Sequence, residues 1–155
     1  MRLKYVLYLV LCLIVFFQSP AYSGAWGIGS FENDDALDFI DSFEDNPRVE
    51  SVVATLKGIA NHQGYLQASD GAYAIVAAEI LAVMNDHSNA NVPDSIVMWS
   101  KNQSKPKPEH LQLGLRALSK VCDFELSELA QLWSEDPEML EKWKLHLAEL
   151  ESWLQ

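Results

Sequence analysis

Glu79 sits inside Ala72-Tyr73-Ala74-Ile75-Val76-Ala77-Ala78-Glu79-Ile80-Leu81-Ala82-Val83-Met84, a run that is otherwise almost wholly apolar. An ionised carboxylate is costly in such a setting unless it is paired or hydrogen-bonded. Two chemistries follow. A raised pKa would suit a general acid or base, with Asp34 or Asp35 as the second carboxylate of a hydrolase-like enzyme. A hydrogen bond to the Trp26 indole, to backbone amides of the glycine-rich stretch near the N-terminus, or to Arg116 would instead tie that stretch to the helix carrying Glu79. The structural reading is preferred, because ion pairs and buried hydrogen bonds also perturb carboxylates.

The other chemistry-bearing residues fall short of a site. Asp34, Asp38, Asp41 and Asp45 recur on one side of a helical pattern, the ordinary solvated face opposite an apolar stripe. They lack the loop carbonyls, spacing and central glycine of a calcium loop. His62, His87, His110 and His146 show no metal-ligand spacing and read as surface residues. Ser127 and Ser134 lack the glycines of a nucleophile elbow. Gly27-x-Gly29 precedes a helix, but no strand leads into it, so it is no dinucleotide fingerprint. No metal and no cofactor is implied.

The most informative stretch is Gly24-Ala-Trp-Gly-Ile-Gly-Ser-Phe-Glu-Asn-Asp-Asp-Ala-Leu-Asp-Phe39. Gly24, Gly27 and Gly29 indicate backbone that a Cβ would obstruct. Trp26 and Phe31 are apolar anchors on either side. Asn33 is a helix N-cap, with Asp34 and Asp35 in the first turn where the helix dipole favours negative charge. Together with Ala77-Ala78-Glu79 and with Ser-Glu-Leu-x-x-Leu-Trp from Ser127 to Trp133, the stretch resembles the bacterial family catalogued as domain of unknown function 4259. The resemblance implies a small domain with no assigned activity, and so supplies no catalytic residues. Members of that family generally start near the Trp-Gly motif, whereas this chain has a leader before it.

The elements that would position these residues are all helical. Asp34 to Asp45 presents Ala36, Phe39, Ile40 and Phe43 on one side. Asn46-Pro47 reads as a cap and first-turn proline opening a second helix to about His62. Ser69-Asp70 opens the third, which should be central because it is apolar nearly all round. A short helix follows from Pro93 to about Lys101, then a proline-broken linker from Asn102 to Pro108. A fifth helix runs from Pro108 to Cys122. Leu126, Leu129, Ala130 and Trp133 mark another, and Asp136-Pro137 opens the last, with Glu138 and Lys142 paired one turn apart. The tryptophans sit mostly at core spacing, and Cys122 falls in register with Leu111, Leu115 and Leu118 as a core thiol. No run alternates with period two, so strands are not expected. The fold expected is all-α, a compact bundle of six or seven helices with a glycine-rich N-terminal turn.

Residues 1–23 read as an export signal, with Arg2 and Lys4 before the apolar run Tyr5 to Phe17 and with Ala21-Tyr22-Ser23 at the cleavage site. The run is shorter than the about 20 apolar residues of a membrane span. Cleavage between Ser23 and Gly24 would leave residues 24–155 as a single helical domain, periplasmic or secreted, with no stable membrane span. Leu11 before Cys12 argues against a lipid anchor. The 155-residue chain has 22 acidic and 11 basic residues, a formal charge of −11. That balance argues against nucleic acid and anionic membranes, both of which need a basic footprint. It suits a non-enzymatic interaction module of the immunity or inhibitor type, facing a basic protein partner.

Overall fold

The computed structural model describes residues 27–87 and 91–155, so the leader and Trp26 lie outside the described residues. Among the described residues, seven helices follow one another: α1 Asp34–Asp45, α2 Val49–Ala60, α3 Ala68–Met84, α4 Asp94–Ser100, α5 Pro108–Val121, α6 Glu128–Trp133 and α7 Pro137–Trp153. The all-α bundle expected from the apolar spacing is what forms.

Helix α3 is the hub. Every other named helix packs against it, and from Ala74 to Met84 all its side chains are buried. Ala74, Ala77, Ala78 and Ala82 have no exposed surface at all. Small side chains let neighbouring helices approach closely, as close-packed interiors require. Around α3, the amphipathic helices bury one stripe each, led by Ile40 and Phe43 of α1, Val52 and Leu56 of α2, Leu118 of α5 and Trp143 and Leu147 of α7. Trp143 stacks on Trp133 with ring centroids 6.1 Å apart, and Phe43 meets Trp99 edge-on at 4.9 Å.

Three caps form as their local chemistry dictates. The Asn33 side chain accepts from the Ala36 amide at 2.7 Å, Ser127 accepts from Ala130 at 3.3 Å, and Asp136 accepts from Glu138 and Met139 at 2.9 and 3.2 Å. Lys142 pairs with Glu138 at 2.6 Å.

Two helix starts differ from expectation. Asn46 closes α1, its amide donating to the Phe43 carbonyl, and α2 begins only at Val49 after Arg48, which supplies no side-chain cap. Proline at 47 holds the preceding residue out of helical geometry, so Asn46 serves the helix behind it rather than the one ahead. Helix α3 starts at Ala68, before Ser69-Asp70, because its first amide donates to the Glu128 carboxylate at 2.8 Å. The chain crossing there adds two backbone bonds, Leu66 N–H to Leu126 O at 2.7 Å and Glu128 N–H to Leu66 O at 3.0 Å. Cys122 is only half-buried, and burial pushes its thiol up to about 11, which leaves it protonated and unreactive at neutral pH.

Candidate functional site: a serine between Glu79 and His146

The turn before α1 is built around Glu32. Its side chain folds back so that Oε2 accepts from the Gly29 amide at 2.9 Å, while its carbonyl accepts from Gly27 N–H at 3.3 Å. A Cβ on Gly27 would fall 2.0 Å from Glu32 Oε2, so a side chain there would displace the Glu32 carboxylate. The turn places Phe31 in the core, Asn33 at the helix cap, and Ser30 almost fully buried between them.

Ser30 is the centre of the site. Its Oγ lies 2.8 Å from Glu79 Oε2 and 2.8 Å from His146 Nε2. One hydroxyl thereby joins the turn, the central helix α3 and the last helix α7. Glu79 has no exposed surface. Burial raises its carboxyl to about 7; the Ser30 hydrogen bond opposes that rise and the charge of Glu149 adds to it. Burial pushes His146 the other way, below its ordinary range, against the pull of Glu149 and Glu32. A hydroxyl has one proton to give. When Glu79 is ionised, Ser30 donates to it and His146 must donate from Nε2. When Glu79 is protonated, the chain can run in reverse, from carboxyl to hydroxyl to imidazole. The bonds run acid, serine, histidine. A hydrolytic triad runs acid, histidine, serine, so the order here is that of a hydrogen-bonded bridge and not that of a triad.

The sequence pattern marks neither Ser30 nor His146 as a site residue, and it places His146 on the surface, whereas the residue is half-buried against Ser30. His146 is one residue before Leu147 and three after Trp143, both buried, so its place on the inner seam of α7 was the available signal against a surface reading. The glycine-turn amides serve Glu32, and Arg116 is exposed on α5; Trp26 lies outside the described residues.

Asp34 is exposed and Asp35 half-exposed. Partial burial, then the charges of Asp38 and Asp34, holds the Asp35 carboxyl above the usual range. Asp35 shares the wall of a cavity of about 60 Å³ with Ser30, Asn33, Leu129, Trp133 and Trp143, among others. Glu79 does not line that cavity, so the two carboxylates do not meet across it. Among the described residues, no three His, Cys, Asp or Glu side chains converge as a metal site. No described helix is long and apolar enough to cross a membrane.

A model of the family described as Domain of unknown function (DUF4259) matches residues 24–146. The chain belongs to that family. No curated protein and no solved structure matches it. The DUF4259 segment takes in the glycine turn, all of α3 and α7 as far as His146, so all three members of the buried bridge lie within it.

Proposed function

We propose that this DUF4259 chain is an exported, non-enzymatic interaction module of the immunity or inhibitor type, directed at a basic protein partner. The observation that carries the reading is the outer face of α1. Asp34, Asp38, Asp41 and Asp45 are all exposed, and among the described residues none makes an ion pair. Like charges on one helical face repel, and a basic surface laid across them would relieve that repulsion. Full burial of Glu79 weighs against the alternative, hydrolysis by Glu79 with Asp34 or Asp35, since substrate has no access to a carboxyl without exposed surface. The start of the family match at residue 24, next to the expected cleavage between Ser23 and Gly24, supports export.

The test is capture from an envelope extract of the producing cell, with tagged wild type and a variant carrying Asp34→Asn, Asp38→Asn, Asp41→Asn and Asp45→Asn. The reading expects a basic protein retained by wild type and released by moderate salt. Equal capture by both proteins, or none by either, overturns it.

A further inference from the structure

A second concavity among the described residues lies away from the buried bridge. It is a groove of about 400 Å³ between α2, the crossing loop and the start of α3, lined by Ala54, Thr55, Gly58, Ile59, His62, Leu66, Asp70 and Tyr73. The groove is open to solvent rather than enclosed, so it would take a side chain laid along it. Ile59 and Leu66 are buried and form an apolar floor.

The polar groups of the groove are mostly committed in one sense only. Thr55 donates its hydroxyl proton to the Ser51 carbonyl at 3.1 Å, which leaves its oxygen able to accept. His62 Nε2 is held by the Tyr65 carbonyl at 3.0 Å. The Tyr73 ring is fixed from the side of α1 by Phe39, with centroids 5.5 Å apart. Asp70 is half-buried, and among the described residues its carboxylate has neither a cation nor a hydrogen-bond donor. Burial first, then the charges of Asp35, Asp38 and Asp70, hold the Tyr73 hydroxyl above its ordinary range, and Asp35 and Asp38 extend the same negative field.

We propose that this groove receives the side chain of an arginine presented by the basic partner, with Asp70 as its counter-ion and the Tyr73 ring as its aromatic contact. This rests on the reading of the chain as a module for a basic protein. The chemistry selects arginine. A planar guanidinium stacks on an aromatic face, makes paired hydrogen bonds to a carboxylate and carries an apolar stem for the floor. It offers only donors, matching the acceptors at Asp70 and Thr55. An anionic ligand would meet uncompensated carboxylates instead.

Gly58 provides a selective block. It lies in α2 on the groove wall, and a Cβ there would meet nothing within 4 Å, so a larger side chain can be added at the groove without disturbing the core. The probe is Nα-acetyl-arginine methylamide, followed by amide NMR shifts in the purified protein, with the citrulline analogue as the uncharged isostere. Shifts centred on Thr55, Gly58 and Tyr73 are expected for arginine and not for citrulline. Asp70→Asn should weaken binding at least ten-fold, and Gly58→Leu should abolish it while the melting temperature is unchanged or higher. Equal shifts with citrulline, shifts confined to α1, or insensitivity to both substitutions overturn the proposal. If arginine binds the groove but the α1 variant captures the partner as well as wild type, the broader reading fails. If capture depends on α1 and the probe never enters the groove, only this site fails.

Discussion

Ser30 Oγ lies 2.8 Å from Glu79 Oε2 although 49 residues separate the two in the chain. Through this bond the glycine turn is held to the central helix, and through the same oxygen to His146. Removing the hydroxyl takes one hydrogen bond from a buried carboxyl, which costs about 1 kcal/mol. Ser30→Ala should therefore lower the melting temperature by several degrees. It should also drive the Glu79 pKa higher, because the Ser30 bond is what opposes the effect of burial. An unchanged melting curve across pH 5–8 would show that the bond contributes nothing.

Protonation should shape stability from both sides. Glu79 is raised from 4.5 to about 7 in the folded protein, so its contribution is fully present below pH 4.5 and is lost as pH rises through 7. The full shift corresponds to about 3 kcal/mol. His146 is lowered by burial, so its contribution is present above pH 6.5 and is lost as pH falls through its folded value. Urea unfolding at a series of pH values should show Glu79→Gln flattening the loss between pH 4.5 and 7, and His146→Gln flattening the loss on the acid side. Parallel profiles for wild type and both variants would refute this assignment.

Space at Gly27 is taken by the Glu32 carboxylate. Gly27→Ala puts a methyl 2.0 Å from Glu32 Oε2, forcing that side chain outward and breaking its bond to the Gly29 amide. The expected cost is about 1–2 kcal/mol. Glu32→Ala removes the obstruction, so the double variant should be more stable than the sum of the two single losses predicts. Additive losses would mean that the clash is relieved elsewhere.

Glu128 caps α3 from another helix, its Oε2 accepting from Ala68 N–H at 2.8 Å. Glu128→Ala should cost about 1 kcal/mol and speed hydrogen exchange at the first amides of α3. Glu128→Gln should recover part of the loss, since an amide oxygen also accepts, though more weakly than a carboxylate. Failure of Gln to recover any of it would point to charge rather than hydrogen bonding.

Local physics wrote much of this protein into its sequence. Asn33, Ser127 and Asp136 cap helices because each has its donors two or three residues ahead. The stripes of α1 and α5 and the all-round apolarity of α3 are periodicities of a few residues, and they are enough to say that α3 is central and that Glu79 lies within it. The all-α fold follows, since every recurring interval is helical.

What needed the folded chain is every contact made across helices. That Glu79 meets Ser30, that His146 turns inward to the same hydroxyl, that Glu128 supplies the cap of α3, and that Asp70 and Tyr73 share a groove with Gly58 depend on how amphipathic rods rotate and pair. A stripe specifies which side is buried; the partner it is buried against follows from packing all seven helices at once, because close-packed interiors admit few arrangements.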